Sequence, residues 1–387
     1  MIQLSSYIES PNQQIDFVPY SFHTIIVDLP FCSVRAHRPY DWSIDELQQL
    51  LSLRPLFLAL NLDGIYSDQE LAIIESTIHD RSLDCVFTAF RIQDPGLSIW
   101  IKDRFPNMTI QCNPETGFQN LPAISCLFKS GISLVSLNHE IPYADIQLIQ
   151  TEYPTNACEL FVQGPILIQY SRRRFLSDLY QSDPETPLRF LAQDAECPTR
   201  NFTFLNTNFG HFMFAQFHRS LATSHKKLGR LTSFSWLIDA RGESDAYRSI
   251  SFQLYASLAS LNDDQINDAQ DKLNDCSNKP QKPGFFLSNN TDYDWRDYAT
   301  PPDSRPIGMV VSARKNDAIL LEFFQPMSTS ASVVCHNPDN THGTFSTNQL
   351  LTLDLSTPSS IQPFIDYVLA PPLKGIQVKG MLYLKNS

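Results

Sequence analysis

His23 to Asn61, HTIIVDLPFCSVRAHRPYDWSIDELQQLLSLRPLFLALN, holds one full turn of the pattern that decides the fold. His23–Val27 is a short β-branched run and reads as a strand. Asp45–Leu53 spaces its apolar residues three and four apart, as one face of a helix requires. Leu56–Asn61 is apolar again and reads as a second strand. The same alternation continues outward. Strands are expected at Cys85–Ala89, Thr109–Cys112, Leu134–Leu137 and Leu160–Gln163, and helices at Asp68–His79, Leu97–Phe105, Leu121–Ser130 and Tyr143–Glu152. Strand–helix alternation at this spacing implies parallel strands joined by right-handed crossovers. Six such units exceed what a short open sheet needs and predict a TIM-like parallel β/α barrel, closed or short of closure. Its sites belong at the C-terminal ends of the strands.

Beyond residue 177 the text changes. Residues 178–202 are polar and broken by proline, an excursion from the barrel. Ser220–Leu231, Ser233–Ile238 and Ala246–Leu261 read as helix, strand and helix that extend the barrel domain to residue 261. Residues 262–283 are charged and poor in apolar side chains, a linker or an exposed helix. From 284 to 387 short strands recur at Gly308–Ser312, Ala318–Phe324, Ser332–His336, Gln349–Leu355 and Ile376–Leu384, predicting a small β-barrel-like C-terminal domain.

The 387 residues are 42% hydrophobic, enough for a sizeable buried core. A net charge of -12 gives no overall attraction to nucleic acid or anionic lipid, so an RNA reading would rest on a local patch. No apolar run approaches the roughly 20 residues that span a bilayer. The first residues carry no basic and apolar leader, so a cytoplasmic protein without a membrane partner is expected. The eight cysteines show no Cys-x-x-Cys pair and read as free thiols.

The most specific motif is Glu159–Ser177, ELFVQGPILIQYSRRRFLS. With Glu159, Phe161, Gly164, Tyr170, Ser171, Arg173, Leu176 and Ser177 in register, it resembles the signature of the peptidase U32, or collagenase-like, family. Further motifs follow in the family's order: Phe31-Cys-Ser-Val-Arg35-Ala36, Ser43-Ile-Asp-Glu-Leu47, Leu58-Ala-Leu-Asn61, Ile92-Gln-Asp-Pro-Gly96, Leu137-Asn-His139-Glu140, Ile238-Asp-Ala-Arg241-Gly-Glu-Ser244 and Pro283-Gly-Phe-Phe286. The resemblance implies a protein with a 4Fe-4S cluster, linked to hydroxylation of RNA (a tRNA wobble uridine, with prephenate implicated, or ribosomal RNA) or of a quinone precursor. This chain departs from the pattern where the cofactor belongs. Leu167 and Arg174 stand at cysteine positions, Gln111 at a histidine position and His139 at an arginine position. Cys197 and His211 fall only near the remaining ligand positions. The expectation is a divergent member without its own cluster, since an arginine repels iron and cannot donate to it.

Arg35, Arg173 and Arg241 read as carboxylate binders at the barrel mouth, because a guanidinium fork pairs two oxygens at once. With Asn61, Glu140 and Tyr170 they form a candidate site for an anionic, prephenate-like small molecule. The competing reading makes each arginine a brace against an Asp or Glu. Arg172–Arg174 with Tyr170 and Phe175, and His225–Lys227 with Arg230, are candidate RNA contacts or plain solvated loops. No serine-nucleophile elbow or zinc motif accompanies Tyr170–Ser171, so a peptidase rests on the family label alone. The remaining alternative is a non-catalytic subunit that keeps the fold and binds RNA or a cluster-bearing U32 homologue.

Overall fold

The computed structural model describes residues 3–173, 187–193, 201–287 and 306–384, apart from positions 154, 278, 314–317, 329, 338–340, 359, 362–366, 373–375 and 379. Arg174, Phe175 and Cys197 therefore lie outside the described residues. The chain divides into two compact units, Met1–Asn289 and Asn290–Ser387.

Unit one is built on a closed barrel of eight parallel strands. They are β1 (Leu4–Ile8), β2 (Phe22–Val27), β3 (Phe57–Leu62), β4 (Ala89–Ile92), β5 (Thr109–Cys112), β6 (Leu134–Leu137), β7 (Cys158–Ser171) and, after an intervening antiparallel ribbon, β11 (Ser235–Ile238). Each strand pairs with the next, and β11 closes the ring by pairing with both β7 and β1. The sequence expectation lacked β1. Its Ser5 and Ser6 are fully buried, so the alternation that marks a half-exposed strand is missing there. The fourth strand also lies later than expected: Leu83–Cys85 is a 3-10 turn, and β4 begins only at Ala89.

The connecting helices are α1 (Gln14–Phe17), α2 (Ile44–Leu51), α3 (Asp68–Asp80), α4 (Leu97–Arg104), α5 (Leu121–Lys129) and α6 (Tyr143–Glu152). Ser43 with Glu46 and Ser67 with Glu70 form capping boxes that start α2 and α3. Asn120 caps α5. Leu47, Leu50, Ile74, Ile78, Ile124, Leu127, Ile146 and Ile149 share one apolar core with Ile25, Leu58, Leu60, Phe90 and Val135 of the strands. Burial of these faces holds the helices on the barrel.

The strand β7 is 14 residues long and serves two structures. As far as Gln163 it is a barrel strand between β6 and β11. From there outward it pairs antiparallel with β10 (Gly210–Ser220), which continues to β9 (Asn201–Thr207) and β8 (Leu188–Gln193). Gly164 marks the turning point at φ +135°, and a Cβ there would lie 2.2 Å from the Asp239 carbonyl oxygen. Only glycine fits that conformation and that approach.

Helices α7 (His225–Leu228), α8 (Asp245–Ser257) and α9 (Asp263–Ser277) follow the ribbon, and Gln281–Lys282 (β12) pairs with β10. The sequence reading gave 262–283 as a linker or exposed helix. It is a helix, with Ile266, Gln270 and Leu273 buried, and it belongs to unit one. Only three of its fifteen residues are buried, which explains the weak apolar signal.

Unit two is a curled antiparallel sheet of β13 (Gly308–Ser312), β14 (Ile319–Phe323), β15 (Ser332–His336), β16 (His342–Ser346), β17 (Leu351–Thr352), β18 (Tyr367–Ala370) and β19 (Met381–Leu384). Val310, Leu321, Phe323, Val333, Val368 and Leu382 form its core. Among the described residues no helix is long and apolar enough to cross a membrane.

Candidate functional site at the barrel mouth

A parallel barrel delivers the residue after each strand to one rim. Here that residue is repeatedly acidic: Glu9 after β1, Asp28 after β2, Asp63 after β3 and Asp239 after β11. All four are buried or nearly so. Carboxylates in that position need cations, and the loops supply two. Arg241 grips Asp239 side-on, Nε to Oδ1 at 3.0 Å and Nη2 to Oδ2 at 2.8 Å, and its backbone N–H donates to the same carboxylate at 3.1 Å. Its Nη1 reaches Asp28 at 3.3 Å and Asp63 at 3.6 Å, and its guanidinium lies 3.5 Å from the Tyr7 ring centroid. Arg35 pairs with Glu115 and, at 3.3 Å, with Asp239. Asn61 donates to Asp28 at 2.7 Å.

Three of the sequence-nominated residues, Arg35, Asn61 and Arg241, thus meet through Asp28 and Asp239. Both arginines are braced by carboxylates, which is the competing reading of each. The other three stand apart from this network. Glu140 is exposed and takes a hydrogen bond from Gln119. Tyr170 donates to the Phe209 carbonyl at 3.1 Å and stacks on Phe212. Arg173 is exposed, and its backbone N–H donates to Ser171 Oγ at 3.2 Å. Its neighbour Arg172 pairs with Glu70 at 2.6 Å. His225 and Lys226, of the second basic run, both pair with Asp263.

The acidic rim was absent from the sequence reading. Its signal is a carboxylate directly after a strand, as in Val27-Asp28, Leu62-Asp63 and Ile238-Asp239. Three buried arginines, Arg91, Arg219 and Arg248, were missed as well. Arg91 lies at the barrel's centre, bonded to Glu159 at 2.5 Å and to Ser136 at 3.0 Å. Arg219, on β10, donates to the His139 carbonyl.

Burial and charge set the proton affinities of the rim. The two arginines hold the Asp239 carboxyl below its usual range despite its burial. Burial, reinforced by Asp28, raises Asp63 to about 6. Burial raises Glu9 to about 7. Burial also lowers His139 and His218 to about 3, lowers His37 well below its ordinary value, and lowers His23.

These shifts make opposite contributions to stability. A carboxyl raised on folding stabilises below its unfolded pKa and loses that contribution as pH rises through the folded value, here up to about 7 for Glu9 and about 6 for Asp63. A histidine lowered on folding stabilises above about 6.5 and loses that contribution as pH falls toward its folded value, about 3 for His139 and His218. Five lowered histidines, His23, His37, His139, His211 and His218, outnumber the raised carboxyls Glu9, Asp63 and Glu243. Unit one should lose stability between pH 7 and pH 5, at about 1.4 kcal/mol per pH unit for each proton of excess. Urea unfolding across that range checks it, and a stability that rises on acidification contradicts it.

Between Arg35, Glu115, Asn138, His139, Phe161 and Asp239 lies a cleft of about 40 Å³. That is room for a few waters or one small functional group. A wider, more open cleft of about 890 Å³ lies beside the ribbon, where Arg189 of β8 donates to Glu243 at 2.8 Å.

Of the iron–sulfur ligand positions that the resemblance implies, those of Leu167 and His211 fall among the described residues. Leu167 stands at a ligand position and is packed among Val34, Leu205, Phe212 and Phe214, with no donor atom of its own. His211 is buried with its ring stacked on Phe204 at 5.2 Å. Among the described residues no group of three or more His, Cys, Asp and Glu side chains is placed to hold a metal ion.

Comparison with known proteins agrees with the motif order. The tRNA hydroxylation protein P of Escherichia coli (strain K12) is 29% identical over 89 residues, 23% of this chain and 20% of that protein. The protein of the same name from Haemophilus influenzae (strain ATCC 51907 / DSM 11121 / KW20 / Rd) gives 29% over 89 residues, 23% of this chain and 19% of its own length. The chain thus matches about a fifth of the length of these curated relatives. A solved structure described as the U32 peptidase Mk0906 is 12% identical, with a TM-score of 0.40, over 63% of this chain and 94% of that one. The profile of peptidase family U32 matches residues 10–296, from the segment before β2 to beyond β12. With the motifs lying in order along a closed parallel barrel, the chain belongs to peptidase family U32.

Proposed function

We propose that this chain serves RNA modification in the cytoplasm, as a U32 protein linked to hydroxylation of tRNA wobble uridine or of ribosomal RNA, and that it works without an iron–sulfur cluster of its own. The observation carrying the RNA link is the 89-residue similarity to tRNA hydroxylation protein P within a family match covering residues 10–296. Support for the missing cluster is chemical: Leu167 offers no ligand atom, and its pocket is apolar. Nucleoside mass spectrometry of total tRNA and rRNA from a deletion strain tests the link. Loss of a hydroxylated nucleoside is the expected result, and an unchanged profile overturns it.

Anaerobically purified protein should be colourless, with iron and sulfide far below one per chain. A brown preparation holding about four irons would refute the cluster-free reading.

A second reading is a non-catalytic subunit that binds RNA or a cluster-bearing U32 homologue. What favours it is the mouth: Arg35 and Arg241 are taken up by carboxylates, and the cleft is about 40 Å³, against several hundred for a pocket that encloses a whole substrate. Co-purification of a tagged copy with a brown U32 homologue supports this subunit reading. The peptidase alternative gains no residue-level support here.

A further inference from the structure

Unit two carries a row of donor side chains across one face of its sheet. Residues paired directly across antiparallel strands point to the same face. His342 of β16 pairs with His336 of β15, His336 with Met381 of β19, Met381 with Met309 of β13, and Met309 with Glu322 of β14. Their neighbours along the strands, Cys335, Leu382, Val310, Leu321 and Phe323, form the core of the unit. The row therefore lies on the face turned away from that core. There His342 is exposed, and His336, Met381, Met309 and Glu322 are half-buried.

The two histidines stand close together, with ring centroids 4.3 Å apart. Beside them the Asn337 N–H donates to the Thr341 carbonyl at 2.9 Å. That bond makes His336 and His342 the closely spaced kind of antiparallel pair, which has no backbone hydrogen bonds of its own. The hairpin is pinned further. Asn337 Nδ2 donates to Thr341 Oγ1 at 2.8 Å, and Asn337 Oδ1 accepts the Gln377 N–H at 2.9 Å. The Tyr383 ring meets the His336 ring edge-on at 5.0 Å. Among the described residues no hydrogen bond or ion pair uses any of the four imidazole nitrogens. Burial and the neighbouring His342 lower the pKa of His336, which leaves its ring neutral and its lone pair available at neutral pH.

The donor set selects the ion. Two imidazoles alone suit zinc, copper or nickel, whereas a thioether is soft and favours Cu(I). Met381 is next to His336 in the row, so its sulfur is the third donor at hand. A closed zinc site wants four thiolate, imidazole or carboxylate ligands. Neither remaining candidate is placed to help. Glu322 lies two strands beyond Met381, roughly 10 Å at the usual strand spacing, and Cys335 is buried on the core face.

We propose that His336, His342 and Met381 form a Cu(I) site on this face of unit two, with one nitrogen from each imidazole and the sulfur of Met381. The assignment goes beyond the RNA reading and rests on no part of it.

The test uses the full chain under anaerobic conditions, with the exposed thiols Cys85 and Cys126 replaced by serine so that they do not compete. Cu(I) is supplied in a bicinchoninate buffer and followed by NMR of methionine methyl groups and histidine rings. The Met381 methyl and the His336 and His342 ring resonances should move together, with one midpoint. Zn(II) should leave the Met381 methyl in place. His336→Gln should raise the Cu(I) concentration that moves the Met381 methyl at least tenfold, and Met381→Leu should do the same for the His342 ring. Three results would each overturn the proposal: no movement of the Met381 methyl with Cu(I), an equal movement with Zn(II), or an unchanged midpoint in a folded His336→Gln. The spectra of the chain with His336, His342 and Met381 intact decide the matter even if a variant does not fold.

Discussion

Replacing Arg241 by Met should cost unit one about 3–5 kcal/mol at pH 7.5, the range for removing one partner of a buried ion pair. The side chain is 1% exposed and answers Asp239, Asp28 and Asp63 together. Without it, Asp28 and Asp63 lose their cation, and Asp239 keeps Arg35, which Glu115 also uses. Methionine keeps much of the volume over the Tyr7 ring, so the loss is electrostatic rather than a cavity. The pH dependence identifies the cause. In the variant, the Asp239 carboxyl loses the charge that holds its pKa down and takes up a proton at higher pH. The gap between variant and wild type should therefore narrow from pH 7.5 to pH 5, although both proteins weaken over that range. Paired urea titrations at the two pH values measure it. A variant as stable as wild type would show that Arg241 is held for a ligand and not as a brace.

Glu159→Ala should have an effect of similar size at the barrel's centre. Glu159 and Arg91 are both fully buried and bonded at 2.5 Å, and Ser136 donates to the same carboxylate oxygen at 2.6 Å. Alanine leaves the guanidinium inside the barrel with Ser136 and, at 3.5 Å, Gln111. About 3–5 kcal/mol is expected, a fall in melting temperature of roughly 10 °C for a unit of this size. The double change Arg91→Met with Glu159→Leu removes both charges and should recover most of the loss, since a buried pair replaced by apolar side chains is often neutral. If the double variant is no better than Glu159→Ala, packing and not charge accounts for the loss.

The sequence was legible where a strand buries one apolar face and a helix repeats every three or four residues. His23–Asn61 shows this best: a strand, a capped helix and a second strand, recovered to within a few residues. It was illegible where the barrel interior is polar. The Ser5-Ser6 pair hid β1, and Arg91 pushed the reading of β4 back to Cys85. The motif arginines were found, but their roles depended on partners far away in sequence. Asp28 lies 213 residues from Arg241, and Glu115 lies 80 from Arg35. Arg219 gave no sequence signal at all. A histidine, an arginine and a serine in a row on a strand say nothing about partners, and only the packed structure shows its guanidinium at the His139 carbonyl.

One feature of the barrel bears on how such a protein can change over generations. Most ornaments on a β/α barrel are loops, and a loop can lengthen, shrink or vanish without disturbing a stave. The antiparallel ribbon is different, because β7 is at once the seventh stave and the ribbon's first strand, turning from one to the other at Gly164. Excising the ribbon would mean ending that stave anew and finding another backbone partner for Gln163, Gly164 and Pro165. The ribbon and the barrel therefore share one strand and the backbone pairing along it. Position 167 lies on that shared strand, and whatever side chain it carries, the backbone around it has two structures to hold.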